Sequence, residues 1–378
     1  MKHTLIDGKT IAIVGGGPVG LLTARLLQMN GGNVHVFERD PDPPARISGG
    51  TLDIHHDTGQ IALQEAGLLE AYFEKARPVM ERQFDKLGNL LFEQVPTNET
   101  QRLRPEIDRK DFRKIILDVL LPGTVSWNKQ VMRAEKIDGS YLLAFQDGLT
   151  ATADILIGAE GGRSKIRPLV TNTPRVYTGS TIIQGDIPHP SMDCPAIMSL
   201  TQGANMAATE DGKVVFLQYR ADGSLNYYLS FRRPEDWFNA SGVSLSDRTA
   251  MADFLSREFT GWAPVYHQLF RATTEFQMLL MYQLPIGSPW ETFDHITLVG
   301  DAAHVMPPFA GVGVNIGLLD ALNLANNLTK GHFNSVTAAI EDYTRKMFAY
   351  ASKAQADTQQ AELDFHEEEH NGHFGEKK

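Results

Sequence analysis

The 378-residue chain is 42% hydrophobic and 21% charged, a composition that indicates a folded protein with room for two domains. Its formal net charge of −11 argues against nucleic acid and anionic membranes as partners, because both attract basic proteins. The single cysteine, Cys194, excludes an intramolecular disulfide. With no secretory signal and no apolar run long enough to span a bilayer, we expect a cytoplasmic protein.

The N-terminal segment predicts a βαβ unit. Residues 10–14 (TIAIV) have the pattern of a buried strand, residues 18–28 that of a helix, and residues 33–38 (NVHVFE) that of a second strand. A helical crossover of this kind makes the two strands parallel.

The turn between the first strand and the helix matches the G-x-G-x-x-G pattern of dinucleotide-binding proteins. Gly15 would make the tight turn, Gly17 would let the backbone approach a pyrophosphate, and Gly20 would allow close helix packing. Glu38 ends the second strand and could accept hydrogen bonds from ribose hydroxyls. The helix N-terminus, at Pro18 and Val19, would bind the phosphates.

The spacing of apolar residues changes twice in the middle of the chain. Helical spacing covers residues 58–75 and 108–121, and two strands follow at 141–145 and 151–157. Alternating strands then predict an antiparallel sheet with one covered face; they lie at residues 181–187, 213–219, 224–231 and 279–284.

A second glycine turn follows a short buried strand at residues 295–299. Asp301 could accept a hydrogen bond from a ribityl hydroxyl, and the helix that begins near Gly313 could face the flavin pyrimidine edge. A nicotinamide dehydrogenase does not need this second turn, so the pair of turns favours FAD. From Val336 onward, apolar residues at every third or fourth position predict a long amphipathic helix.

The sequence resembles the single-component flavin monooxygenases of the aromatic-hydroxylase type, and among them the tetracycline-inactivating enzymes of the Tet(X) type. The resemblance rests on both glycine turns, ERD at 38–40, ARISGGTLDIH at 45–55, RKDFR at 109–113, GAEGGRSKIR at 158–167 and GDAAHVMPPFAGVGVN at 300–315.

The resemblance implies an α/β fold, with a Rossmann-type FAD-binding domain, an inserted antiparallel β-sheet substrate domain and a long C-terminal helix. The discontinuous FAD-binding domain would comprise residues 1–76, 101–174 and 285–335. The substrate domain would comprise 77–100 and 175–284, the bridging helix 336–366, and a mobile acidic tail 367–378.

The resemblance also implies roles for individual residues. Arg46 would help to engage NADPH, and Arg39 would lie near the adenine. Asp53, Arg113 and Asp301 would contact FAD, together with Gly300, Pro308, Gly311, Gly313, Val314 and Asn315. Gln184, Phe309 and Gly311 match substrate contacts of the tetracycline enzymes.

This sequence departs from the family pattern at several positions. Glu160 replaces an aspartate, and Val312 replaces a glutamine. An arginine and a histidine that contact tetracycline are replaced by Asn205 and Asn226, and Tyr228 replaces a glycine. The longer carboxylate of Glu160 could still reach the dinucleotide, directly or through water, so FAD remains the expected cofactor.

The predicted function is hydroxylation of a small aromatic or polycyclic substrate, such as a tetracycline-type antibiotic, by a flavin hydroperoxide formed with NADPH and O2. The predicted oligomeric state is a monomer. A flavin-dependent reductase or dehydrogenase, or a flavoprotein that only sequesters its ligand, remains an alternative.

Two features that contain histidine are not interpreted as metal-binding or catalytic. The HEEEH segment at 366–370 matches a zinc-protease pattern, but it lies in a polar tail, and no metal site is predicted. His304 is interpreted as a structural residue of the second turn. Apolar residues of the inserted sheet are candidate cavity walls: Met206, Phe216, Tyr227, Tyr228, Met278 and Met281.

Overall fold

The computed structural model describes residues 4–43, 49–291 and 294–367. The strands are β1 (Thr10–Val14), β2 (Asn33–Phe37), β3 (Thr51–Asp53), β4 (Glu81–Phe84), β5 (Leu90–Gln94), β6 (Glu106–Asp108), β7 (Val125–Ser126), β8 (Val131–Ile137), β9 (Ser140–Phe145), β10 (Thr150–Ala153), β11 (Ile155–Gly158), β12 (Val176–Ile187), β13 (Asn205–Glu210), β14 (Lys213–Tyr219), β15 (Leu225–Arg232), β16 (Glu275–Gln283) and β17 (Ile296–Leu298). The helices are α1 (Pro18–Gln28), α2 (Gly59–Glu65), α3 (Leu69–Lys75), α4 (Arg109–Leu117), α5 (Pro190–Asp193), α6 (Pro195–Thr201), α7 (Trp237–Ala240), α8 (Arg248–Glu258), α9 (Pro264–Ala272), α10 (Asp301–His304), α11 (Gly313–Thr329) and α12 (Val336–Phe365).

A five-stranded parallel sheet forms the core of the first layer, in the order β17-β11-β1-β2-β7. Its central strands are continuous apolar runs because helices cover them; Ile11, Ile13, Ile155 and Ile157 are fully buried. The predicted βαβ unit is confirmed, and α1 has the predicted bounds. The predicted α/β fold class is also confirmed. Among the described helices, none combines the length and apolar character needed to cross a membrane.

A seven-stranded sheet, in the order β16-β12-β15-β14-β13-β4-β5, forms the second layer. One face is apolar: Ile183, Leu217 and Leu229 pack there with residues of α8 and α9. The other face is polar, because alternate residues of each strand point to opposite sides. The register places Gln184, Tyr228 and Phe216 side by side on this polar face.

Three predicted elements differ from the structure. Residues 151–157 form two strands in separate sheets, because the Asp154 carboxylate accepts the Thr10 N–H at 2.8 Å and interrupts the run. The helix predicted at 58–75 is divided between α2 and α3 near Gly67, whose φ of 72° is left-handed. The helix predicted at 108–121 is the shorter α4.

The long C-terminal helix α12 contacts both layers. The Tyr343 hydroxyl donates to the Leu298 carbonyl at 2.8 Å, at the end of the parallel sheet. Near the other end of α12, the Thr178 hydroxyl donates to Glu362 at 2.6 Å. The bridging position predicted for this helix therefore rests on hydrogen bonds as well as on apolar packing. Apart from Glu367, the predicted acidic tail lies outside the described residues.

Candidate active site

The first glycine turn has no room for a side chain at Gly15 and Gly20, whereas the space beside Gly17 is open. A Cβ on Gly15, whose φ is 108°, would lie 2.4 Å from the Ala159 carbonyl oxygen. A Cβ on Gly20 would lie 2.1 Å from the Gly15 carbonyl oxygen, whereas a Cβ on Gly17 would have no heavy atom within 4 Å. The helix N-terminus, with Pro18 as its first residue, adjoins that open space. This arrangement suits an anion such as a pyrophosphate.

Glu38 and Arg113 lie beside this turn, and both are buried. The Glu38 carboxylate accepts the Gly16 N–H at 2.5 Å and the Asp40 N–H at 2.9 Å. Arg113 donates to the Asp40 carboxylate at 3.0 Å, while its buried Nε has no hydrogen-bond partner among the described residues. The site therefore offers a carboxylate acceptor and an unused cationic donor.

Of the two other predicted arginines, Arg39 is exposed directly after Glu38. Arg46, the predicted NADPH contact, lies outside the described residues.

Asp320, which is completely buried in α11, stabilises the second glycine turn. This carboxylate accepts the Gly300 N–H at 2.7 Å and the Tyr350 hydroxyl at 2.6 Å, and it lies 2.6 Å from His304 Nε2. Burial of His304 opposes its charged form, but Asp320 outweighs this effect and raises the pKa. These contacts support the structural interpretation of His304.

Arg167 and Glu160 stabilise the loop that packs against the second turn. Arg167 donates to the carbonyl oxygens of Ala302 at 2.7 Å and of Asp301 at 2.9 Å. Glu160 accepts from the Ser164 hydroxyl at 2.8 Å and from the two N–H groups that follow, at 2.9 and 3.0 Å. The carboxylate of Glu160 is thus engaged within its own loop, and its contact with a dinucleotide stays a prediction.

Asp301 is exposed at the start of α10, although neighbouring protein displaces part of the water around its carboxyl group. Loss of bulk water around the carboxyl group raises its pKa. No hydrogen bond of this carboxylate to the described residues occupies it in the way that Glu160 is occupied. It is therefore available to a ligand hydroxyl.

The start of α11 meets strand β3 through Asn315. The Asn315 amide donates to the Asp53 carbonyl oxygen at 3.0 Å and accepts the His55 N–H at 2.8 Å. A Cβ on Gly311 would lie 3.9 Å from Asp53 Oδ1, and the space around Gly313 is open. The structure therefore brings these predicted flavin contacts together. The Asn315 side chain itself is used by the protein, which leaves its backbone N–H, near those of Gly313 and Val314, for a ligand.

The two glycine turns lie against each other although the sequence separates them widely. A Cβ on Gly300 would lie 3.3 Å from Val19, and a Cβ on Gly317 would lie 2.6 Å from the same side chain. Val19 belongs to the first turn, and the two glycines belong to the second turn and its helix. Both turns therefore lie at one site.

Aromatic side chains mark the border between this site and the polar sheet face. Tyr228 stacks on Phe216, with ring centroids 6.4 Å apart, and its hydroxyl oxygen accepts the Gly50 N–H at 2.6 Å. Phe309, just after Pro308, packs against His366 at 5.3 Å between ring centroids. Gln184 lies beside Tyr228 in the sheet register, so two of the predicted substrate contacts are neighbours.

Two predicted substrate contacts are engaged by protein carboxylates instead. The Asn205 amide donates to Glu106 Oε1 at 2.7 Å, and the Asn226 amide donates to Asp186 Oδ1 at 3.0 Å. Sequence reasoning missed both carboxylates, since Glu106 lies 99 residues from Asn205. The alternation of Gln184 with Asp186 on one strand was an available signal for the second carboxylate.

Some predicted cavity walls belong to the other side of the sheet. Met206, Tyr227 and Met278 pack in the apolar cluster under α8 and α9, so they are core residues. Of the HEEEH segment, His366 lies 2.9 Å from the Ser230 hydroxyl and 2.6 Å from the Glu362 carbonyl oxygen. The second histidine of that segment lies outside the described residues.

A family model described as an FAD binding domain matches residues 9–187 and 287–357, which together exceed half of the chain. The chain belongs to this FAD-binding family. FAD also fits the site, because its phosphates, ribose and ribityl hydroxyls would meet the open turn at Gly17, Glu38 and Asp301.

Relatives of this FAD-binding protein are named as monooxygenases. It is 27% identical over 385 residues to the monooxygenase asqM of Emericella nidulans, covering 87% of this chain and 86% of that protein. The structure of an FAD-containing monooxygenase from Photorhabdus luminescens superposes with a TM-score of 0.78 at 25% identity, covering 95% of this chain and 99% of the other.

The tetracycline destructase Tet(55) shares the fold, with a TM-score of 0.76 at 21% identity over 98% of this chain and 92% of its own. The predicted likeness to tetracycline-inactivating enzymes is therefore confirmed for the fold alone. In sequence, the chain is more similar to the asqM protein than to this destructase.

Proposed function

We propose that this FAD-dependent monooxygenase oxidises NADPH and inserts one oxygen atom from O2 into a small aromatic or polycyclic substrate. The observation that carries the proposal is the contact of Val19 with Gly300 and Gly317, which brings two remote turns to one site. A dinucleotide held by both turns would place its ring at the edge of the polar sheet face. The substrate would lie between Phe309 and Tyr228.

In this proposal, bound FAD supplies the redox chemistry and the activation of O2. The protein's residues bind and orient the reactants and exclude water from them. The α1 N-terminus binds the pyrophosphate, Glu38 the ribose, and Asp301 the ribityl chain. The N-terminus of α11, at Gly313, would hold FAD through its free backbone N–H groups, and the positive end of its dipole would stabilise negative charge on the cofactor.

Binding of the substrate would depend on Gln184 and the aromatic walls, with Phe309 closing the cavity against the end of α12. The exclusion of water matters because water would divert the activated oxygen to hydrogen peroxide. Catalysis of this kind needs no acid or base from the protein at the reacting carbon, so the structural role of His304 is compatible with it.

The test is to measure NADPH and O2 consumption by the purified yellow protein across a panel of aromatic amides, phenols and tetracyclines. Isotopically labelled O2 would be used, and the product mass would be read in the same samples. Incorporation of one labelled oxygen atom supports hydroxylation. Oxidation of NADPH with an altered but unlabelled product indicates a reductase or dehydrogenase, and binding without NADPH oxidation indicates sequestration.

A pair of variants tests the flavin site separately. Asp301→Asn is expected to weaken FAD retention, because the amide accepts a ribityl hydroxyl less strongly than a carboxylate does. Asp253→Asn, on the exposed side of α8, is the matched control and should retain FAD as the unmodified protein does. Equal FAD retention by both variants would refute the placement of the ribityl chain.

A further inference from the structure

His366 follows the last turn of α12, and both of its ring nitrogens are hydrogen-bonded. Nδ1 lies 2.6 Å from the Glu362 carbonyl oxygen, and Nε2 lies 2.9 Å from the Ser230 hydroxyl oxygen. Burial lowers the pKa of His366, and the charge of Arg232 acts in the same direction, so the ring is neutral at neutral pH. Because a carbonyl oxygen only accepts, Nδ1 carries the proton, and the Ser230 hydroxyl donates to Nε2. The two bonds fix the orientation of the ring.

The bond to Ser230 places this ring on the polar sheet face. Ser230 lies two residues after Tyr228 on β15, so the two side chains are on the same face, about 7 Å apart along the strand. The register is unbroken in this part of the sheet, with Gln184 beside Tyr228 and Ile182 beside Ser230. His366 is therefore anchored at the next position of the face that carries the predicted substrate contacts Gln184 and Tyr228.

Phe309, which follows the second glycine turn, packs against the same ring. The ring centroids of Phe309 and His366 are 5.3 Å apart and the planes lie at 82°, an edge-to-face arrangement. Phe365, the last residue of α12, contacts Phe309 with its centroid at 6.2 Å. The segment before Phe309 is also attached to α12, because the Thr358 hydroxyl donates to the Met306 sulfur at 3.7 Å. The end of α12 thus connects Phe309 to the sheet.

The needs of a helix end account for only one of the contacts of His366. The bond from Nδ1 to the Glu362 carbonyl satisfies an acceptor that the last turn of α12 would otherwise leave open. The bond to Ser230 and the ring contact with Phe309 extend beyond the helix to two other segments, the sheet and the second glycine turn. These are the two segments between which the proposed function places the substrate.

We infer that His366 is a positioning residue for the substrate: it holds Phe309 at a set distance from the sheet face and thereby limits the size of the aromatic substrate. The inference rests on the proposed function, which places the substrate between Phe309 and Tyr228. His366 acts through Phe309, and Ser230 is its anchor on the sheet. A small ring fits the width that these contacts set, whereas a larger ring system needs the space that the imidazole occupies.

The position of Phe309 can be followed by fluorine NMR on FAD-bound protein labelled with 4-fluorophenylalanine. The Phe309→Leu variant identifies the Phe309 signal. We expect His366→Ala to shift and broaden this signal, because the ring that packs against Phe309 is lost. His366→Phe keeps an aromatic ring and should largely restore the signal. His332→Ala, which removes an exposed histidine before α12, is the matched control and should leave the signal unchanged.

Phenol and 2-naphthol, which share a hydroxyl group and differ by one ring, test the size limit. Their dissociation constants would be measured from changes in flavin absorbance without NADPH, so that no turnover occurs. In His366→Ala, phenol should bind about two- to tenfold more weakly, because the aromatic contact that holds Phe309 is lost, while 2-naphthol should bind at least as tightly as before. His366→Phe should restore the original ratio of the two constants. Ser230→Ala, which keeps the ring but releases it from the sheet, should give an intermediate ratio.

Three outcomes would overturn the inference. The first is a Phe309 signal that is the same in His366→Ala as in the unmodified protein, and the second is an unchanged ratio of the two dissociation constants in that variant. The third is that neither probe binds to protein that carries FAD. The proposed function fails separately if the protein does not take up FAD or incorporates no oxygen, because the Phe309 signal is also measured on flavin-free protein and needs no turnover.

Discussion

The same substitution, glycine to alanine, should have different effects at Gly17 and at Gly20, although both residues lie in one turn. A Cβ on Gly20 would lie 2.1 Å from the Gly15 carbonyl oxygen. A carbon and an oxygen in contact lie about 3.3 Å apart, so α1 must move by about 1 Å. Overpacking of this kind costs about 1–3 kcal/mol. We therefore expect Gly20→Ala to lower the free energy of unfolding of the flavin-free protein by that amount.

Gly17→Ala should leave the flavin-free protein almost unchanged. Its φ of −73° is accessible to alanine, and a Cβ would have no heavy atom within 4 Å. The change in unfolding free energy should therefore be within about 0.5 kcal/mol. The methyl group would occupy the space assigned to the pyrophosphate, so FAD affinity should fall at least about tenfold, or about 1.4 kcal/mol.

The assay uses protein from which flavin has been removed. Urea unfolding gives the stability of each variant, and titration with FAD, followed by quenching of flavin fluorescence, gives the dissociation constant. Gly20→Ala is the matched control, because it adds the same methyl group to the same motif, but on the side that faces the Gly15 carbonyl oxygen. If Gly17→Ala binds FAD as tightly as the unmodified protein while remaining equally stable, the pyrophosphate does not lie at this turn.

Three further predictions concern buried charges. Burial raises the pKa of Glu106 from 4.5 to about 7. Between these pH values the folded protein retains a proton that the unfolded chain releases. The free energy of unfolding should therefore fall by about 3 kcal/mol as the pH rises from about 4.5 to about 7. Glu106→Gln should remove this dependence in urea unfolding, and an unchanged slope would contradict the assignment. Burial lowers and Asp320 raises the pKa of His304, with a net upward shift, so its stabilising contribution should be complete below about pH 6.5 and lost as pH rises through the folded value. His304→Gln should abolish that loss, and a variant that kept it would place the titration elsewhere. Glu160→Ala should lower the unfolding free energy by about 2 kcal/mol, because buried donors in its loop lose their acceptor; weaker FAD binding at unchanged stability would instead support a direct cofactor role.

The sequence was informative where the determining contacts are local. The bounds of α1 follow from the Gly17 N-cap position, Pro18 at the first helical position and the apolar spacing up to residue 28. The tasks assigned to Gly15 and Gly20 depend on backbone conformation and close approach, which a glycine pattern at fixed spacing reports directly.

Contacts between distant segments were beyond the reach of such patterns. Asp154 separates two strands because its carboxylate binds the Thr10 N–H, 144 residues away. Asn205 matches a substrate position in the motif comparison, but its amide donates to Glu106, which lies on β6 in a separate two-stranded sheet with β3. No periodicity in either segment records this pairing, because the two segments are 99 residues apart and meet only in the folded protein.

The same kind of contact fixes the orientation of two amides on the polar sheet face. An amide can present either an acceptor or a donor to a ligand, and rotation of its terminal group exchanges the two. Glu106 and Asp186 remove that freedom by binding the nitrogen atoms, at 2.7 Å from Asn205 and at 3.0 Å from Asn226. The motif comparison therefore identifies the residues at positions 205 and 226, but the carboxylates that orient both amides lie elsewhere in the chain and meet them only in the folded protein.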